Sequence, residues 1–213
     1  AKINYEKSLK ILPNNNMALK NLAAISFFKG DLEDAEEIYN SALKNNKNDY
    51  DAMYYLSQCQ LARCNYETGW KNFESRWLAN NFESKKLKTN IPKFFLNSDN
   101  KNLLVWSEQG VGDQILFLRF LHDLIPYVDN IYINIDSRLH KIISRMNLKV
   151  HFVHNVDQIK KNNINSQIPI GDLGCLFVKN NSNLINYTNG YIKSDLKITN
   201  DLKNNFKNKK KYI

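Results

Sequence analysis

Small and large apolar residues recur along the first eighty positions with a period of 34. Tyr5, Tyr39 and Phe73 fall in register, as do Leu9, Leu43 and Trp77; Ala18 matches Ala52, Leu22 matches Leu56, Ala23 matches Ser57, and Ala35 matches Gly69. Such an order suits stacked helices, since small residues let two helices approach closely and large ones fill the space between them. The register predicts a leftover half-unit at 1–12, ended by Pro13, then helices near 16–29 and 32–45, and again near 50–63 and 66–79. Gly30-Asp31 forms the turn inside the first complete unit.

The helical period stops after Asn80. Pro92, a mixture of Lys and Asn, and Ser98-Asp99-Asn100 read as an irregular connector over 81–101. Beyond it, strands and helices are expected to alternate: strand 103–106, helix 114–125, strand 131–135, helix 137–146 capped by Asp136 or Ser137, strand 150–154. A further strand is expected at 167–170, a short helix at 172–177, and a last strand from Lys211. Alternation of this kind predicts a parallel sheet flanked by helices. The expected fold is therefore α over 1–80 followed by α/β over 102–213. In the 114–125 helix, apolar residues surround a narrow polar stripe of Arg119, His122 and Asp123. The helix should be mostly buried, with the stripe facing solvent or a partner, solvent being the usual case for a charged face.

The composition, 43% hydrophobic and 24% charged, is that of a soluble globular chain, and no apolar run is long enough to span a bilayer. No signal-like segment is present, and the chain begins with Ala1 rather than Met, which predicts a processed or excised piece. Cys59, Cys64 and Cys175 are odd in number and lack Cys-x-x-Cys spacing, which predicts a reducing, cytoplasmic setting. The net charge of +9 is spread among asparagines along the whole length, so no nucleic-acid partner is expected.

Chemistry concentrates in Trp106-Ser-Glu108-Gln109-Gly110-Val-Gly112-Asp113-Gln114, where a strand feeds a helix through a glycine-containing turn. Free backbone N–H groups and the positive end of a helix dipole meet there, a setting that suits a phosphate or carboxylate. The plainer account is a tight turn with Asp113 as helix cap, and the residues alone leave both open. His151 and His154, three apart in an expected strand, point to opposite faces, and His122 and His140 have no partner at ligand spacing. No metal is expected. The sequence has no Walker-type loop and no Gly-x-Ser-x-Gly elbow, and no cofactor is expected.

The 34-residue register resembles the tetratricopeptide repeat. Gly69-Trp70-Lys-Asn-Phe73-Glu74-Ser-Arg76-Trp77 together with the Trp106–Gln114 segment resembles bacterial tetratricopeptide proteins that carry a glycosyltransferase-like GT-B region. That family is similar in layout to protein O-GlcNAc transferase, and in its Gly-Asp turn to lipopolysaccharide heptosyltransferases. The resemblance implies that 102–213 is the Rossmann-like, acceptor-side half of a GT-B enzyme, with the cleft at the Gly-Asp turn. It implies that Asp113 is the base that takes a proton from an acceptor hydroxyl, that Gly110 and Gly112 admit substrate or donor phosphate, and that Glu108 and Gln109 line the loop. Gly171-Asp172 stands where the family has a second glycine-containing loop that would wall the cleft; read from the residues alone it is a plain turn and cap.

The partners implied are a nucleotide-sugar donor and a peptide or protein held by the repeats. In the repeat groove the resemblance places Lys20, Asn21 and Phe27, with Tyr54 and Gln58 from the next unit. Asn21 matches the family's asparagine ladder, but Tyr55 replaces the next rung. The half-unit at 1–12 implies earlier repeats. The chain stops at Ile213, where the donor-binding half would begin, so these residues alone are expected to be inactive. The alternative function is a non-catalytic interaction scaffold; a nucleotide-binding half encoded after Ile213 would favour the enzyme and a stop codon the scaffold.

Overall fold

The computed structural model describes residues 1–99, 101–155, 158–159, 162–179 and 190–207. It is helix-rich with a small parallel sheet. The chain divides into two compact units, one of Ala1–Lys88 with Gly174–Ile185, the other of Thr89–Leu173 with Asn186–Ile213.

The first unit opens with five helices, α1 (Lys2–Ile11), α2 (Asn16–Lys29), α3 (Leu32–Asn45), α4 (Tyr50–Ala62) and α5 (Tyr66–Phe73). α2 begins at Asn16 and α4 at Tyr50, α3 at Leu32 and α5 at Tyr66, so both pairs keep the 34-residue offset of the sequence. Local chemistry sets the ends. The Asn15 side chain accepts from the Ala18 N–H at the start of α2, and Asp49 accepts from the Ala52 N–H at the start of α4. Gly30, at φ +87°, ends α2 in the left-handed conformation that favours glycine, and the Asp31 N–H reaches back to the Ser26 carbonyl.

Alanines at the helix contacts set the close packing. Ala23, Ala35, Ala42 and Ala52 are wholly buried, with Tyr39, Leu56 and Cys59 filling between them. At Gly69 a Cβ would stand 2.8 Å from Leu61 Cδ2, too close for any side chain without a shift. Ala35→Leu is therefore expected to cost about 1–3 kcal/mol by overpacking, read as a lowered unfolding midpoint; an unchanged midpoint would mean that the space at Ala35 is not tight.

The expected helix to 79 ends at Phe73 and tightens into a 3₁₀ turn, Glu74–Trp77. Arg76 is wholly buried there, its guanidinium 4.2 Å from the Phe73 ring centroid and 4.3 Å from that of Trp77, and it donates to the Phe73 carbonyl. Stacking between two aromatic faces compensates part of the cost of taking that cation out of water.

Burial pushes the Cys59 thiol up to about 11, with the Glu36 carboxylate adding to the shift, while Cys64 is exposed. Thiolate is the reactive form, so at about pH 8 an alkylating reagent is expected to modify Cys64 in the folded protein and Cys59 only after denaturation. Mass spectrometry of digests checks this, and equal rates at the two thiols would contradict it.

The second unit holds the sheet, β1 (Asn102–Trp106), β2 (Asn130–Asn134), β3 (Val150–Phe152) and β4 (Ser166–Pro169), in the order β3-β2-β1-β4 with every pairing parallel. Leu104 pairs with Tyr132 on one side of β1, and Leu103 with Ser166 on the other. Four of the five β1 residues are buried, the continuous apolar run expected of a central parallel strand. The connector is more ordered than its composition predicts. Phe94 is wholly buried and its N–H donates to the Gln167 carbonyl, while the Gln167 N–H donates to the Pro92 carbonyl, so the connector lies along the outer side of β4.

Several boundaries differ from expectation. The helix expected at 114–125 starts earlier and is broken, as α6 (Val111–Leu118) and α7 (Leu121–Leu124). The Tyr191 hydroxyl donates to the Ile115 carbonyl, the acceptor that Arg119 would use in an unbroken helix. The mostly buried face is also incomplete, since Leu116 and Ile125 are about half exposed. The 137–146 helix is a 3₁₀ turn, then α8 (His140–Ile143), then a second 3₁₀ turn. α9 (Asp172–Phe177) is where the sequence put it, and the strand expected from Lys211 lies outside the described residues. α10 (Leu196–Lys207) was not anticipated; its signal is the spacing of Ile198, Leu202 and Phe206.

Candidate functional site

In the sheet unit, the chain runs from β1 outward through β2 to β3, then returns to place β4 on the other side of β1. An open parallel sheet has its natural crevice at such a reversal, outside the carboxyl ends of the strands. The loop that follows β1 lies there. Glu108 is buried, and its Oε1 accepts from the Gly171 N–H at 3.0 Å, tying the end of β1 to the end of β4. Gln109 adopts φ +62°, a left-handed conformation uncommon outside glycine and asparagine, which turns the chain sharply into α6.

Gln114 fixes the loop from below. It is buried, its Nε2 donates to the Gln109 carbonyl at 3.3 Å, and its Oε1 accepts from the Asp136 N–H at 3.2 Å. One side chain thus joins the loops after β1 and β2. The Arg138 guanidinium, hydrogen-bonded to Asp136, holds that carboxyl down at about 2, so a charged pair stands at the carboxyl end of β2.

The structure places Asp113 as the third residue of α6, not as the residue before the helix. Its Oδ2 accepts from the Gly110 N–H at 3.2 Å, the back-bonding half of a capping box, and the residue is exposed. A carboxylate near a helix N-terminus is stabilised by the dipole. Helix geometry leaves the N–H groups of the first turn without intrahelical acceptors. A Cβ at Gly112 would meet nothing within 4 Å, and one at Gly110 only Asp113 Oδ2, at 3.4 Å, so the space over this turn is open. Amide donors and one exposed carboxylate around open space can hold an oxygen-rich ligand and accept a proton from it.

Gly171 and Asp172 lie at the carboxyl end of β4. Asp172 is buried, and its Oδ2 stands 2.6 Å from Lys93 Nζ. Sequence reasoning missed Lys93, because the connector carried no pattern to say which of its lysines turns inward. It missed the roles of Gln114 and Tyr191 because each reaches a backbone group far along the chain, Gln114 the Asp136 N–H and Tyr191 the Ile115 carbonyl.

In the helical unit, Lys20, Asn21, Phe27 and Gln58 line a cavity of about 370 Å³, with Tyr39 and Tyr55 on its wall. Tyr54 is not on that wall. It is buried, and its ring packs against Phe73 and Phe82, while its neighbour Tyr55 faces the cavity. The reason is the helix rotation: Tyr54 falls on the side of α4 that meets the segment after α5. Lys20 is held by Asp49 at 3.0 Å.

Among the described residues no group of three or more His, Cys, Asp and Glu side chains could hold a metal ion. His140 stacks on Phe152 and lies 5.5 Å from the His154 ring, and His151 stacks on Tyr132. No helix among the described residues is long and apolar enough to cross a membrane. Comparison with protein-family models and with curated proteins gives no match for this chain.

Proposed function

We propose that the chain is a tetratricopeptide-repeat region joined to the Rossmann-like, acceptor-side half of a GT-B glycosyltransferase, which transfers a sugar from a nucleotide-sugar to a protein or glycan. The observation that carries the reading is the reversal of strand order between β1 and β4, at whose carboxyl ends the Glu108–Gly171 bond and Gln114 hold the loop that presents Asp113 beside the open space at Gly112. A transferase of this kind must take a proton from the acceptor hydroxyl as its oxygen attacks the anomeric carbon and the nucleoside diphosphate departs. In this reading Asp113, an exposed carboxylate, accepts that proton. The first-turn amides of α6 supply donors for a phosphate or a sugar oxygen. Glu108, Gln109, Gly171 and Asp172 shape the walls, Glu108 and Asp172 from buried positions.

The test is incubation of the complete gene product with a panel of nucleotide-sugars and peptide or glycan acceptors, with transfer and donor hydrolysis both followed. Turnover of one donor is expected; neither transfer nor hydrolysis with any of them would overturn the reading.

A second reading, a non-catalytic scaffold, draws on the cavity of the helical unit. Phe27, Tyr39 and Tyr55 give it apolar walls, and Asn21 and Gln58 offer amides at hydrogen-bonding positions for an extended peptide. A scaffold would bind peptide through this cavity and turn over no donor.

A further inference from the structure

α10 stands almost bare. Of its residues with described side chains only Thr199 is partly covered, and Leu196, Ile198, Leu202 and Phe206 are all at least half exposed. Ile198, Leu202 and Phe206 follow one another at intervals of four, so they form a single apolar stripe along the helix. The rest of the circumference is mainly lysine and asparagine. From Leu196 to Lys211 the sequence carries six lysines against one acid, Asp201.

A helix of this length is marginal in water by itself, and its stability comes from burying an apolar face. Three side chains cannot supply the roughly 800 Å² per partner of an ordinary protein interface. A second copy of the chain would bring one lysine-rich surface against another, and like charges repel. A flat, negatively charged bilayer meets both demands. The stripe enters the boundary between headgroups and acyl chains, and the lysines reach lipid phosphates along their flexible stems.

We propose that α10 binds the surface of bilayers that contain anionic phospholipid, peripherally and without crossing them. This is independent of sugar transfer and of the crevice beside Asp113. It would hold the protein at a membrane through an element outside the candidate site.

The test is co-sedimentation of the whole chain with vesicles of phosphatidylglycerol and phosphatidylcholine, against vesicles of phosphatidylcholine alone. Binding to the anionic vesicles is expected, falling as salt is raised. The double variant Leu202→Ser/Phe206→Ser is expected to bind at least tenfold more weakly, roughly the effect of removing two partly inserted apolar side chains. Because both side chains are exposed, the variant should keep the unfolding midpoint of the parent. Equal binding by the variant would reduce the effect to the lysines in general and overturn the proposal. So would equal binding to neutral vesicles, or no binding to the anionic ones. A change of oligomeric mass in the variant, measured by sedimentation velocity without lipid, would assign the stripe to a second copy instead.

Discussion

Asp113→Asn is expected to lower sugar transfer by roughly 10²–10⁴-fold, the range that general acid–base catalysis contributes, and to leave the fold unchanged. The separation of the two effects follows from the geometry. Asp113 Oδ2 accepts from the Gly110 N–H, and an asparagine oxygen can take the same bond. What asparagine cannot do is accept and hold a proton from an attacking hydroxyl. Loss of the negative charge from the first turn of α6 should cost no more than about 1 kcal/mol at an exposed position. The decisive comparison measures turnover by the complete gene product and thermal unfolding side by side. Near-wild-type turnover would remove Asp113 from the mechanism and leave it a helix cap. A fall in turnover matched by a large fall in the unfolding midpoint would make its role structural.

Phe94→Ala is expected to destabilise the sheet unit by about 3–5 kcal/mol, the usual result of emptying a buried phenylalanine site. Phe94 is wholly buried although it lies in a connector, and its own N–H and the Pro92 carbonyl are bonded to Gln167 of β4. Its removal leaves a cavity at a wholly buried site in the segment bonded to β4. At roughly 4 °C per kcal/mol the midpoint for this unit should drop by about 12 °C or more. Phe95→Ala is the control, because Phe95 is exposed and its removal should shift the midpoint little. Equal shifts for the two would mean that the connector does not anchor the sheet.

The helical half was legible because its information is local. The register that pairs Ala35 with Gly69 and Tyr39 with Phe73 reappears as helices offset by the same 34 residues, with Ala35 wholly buried and Gly69 against Leu61. Caps are equally local, so Asn15, Gly30 and Asp49 act within a turn of where they sit. The limits of α6 were less legible. Its start at Val111 comes from Gly110 and Asp113 acting together, and near its break after Leu118 the Ile115 carbonyl accepts from Tyr191, far along the chain. Tyr54 and Tyr55 show the same limit on a smaller scale, because adjacent tyrosines differ only in which face the neighbouring helices leave open.

The candidate site divides in the same way. Its glycines, its carboxylate and the strand that leads into it stand in one continuous segment, so the turn could be named from the sequence. The order β3-β2-β1-β4, the Glu108–Gly171 bond, the two-loop grip of Gln114 and the pairing of Lys93 with Asp172 join residues from separate segments. By itself the sequence determined the repeated helices of the first unit, their spacing, and the chemical groups of the turn, because periodicity acts over a few residues. Only the tertiary structure decided which strand ends meet and which polar side chains are buried between them, because those choices depend on long-range pairing and on the need of each buried polar group for a partner.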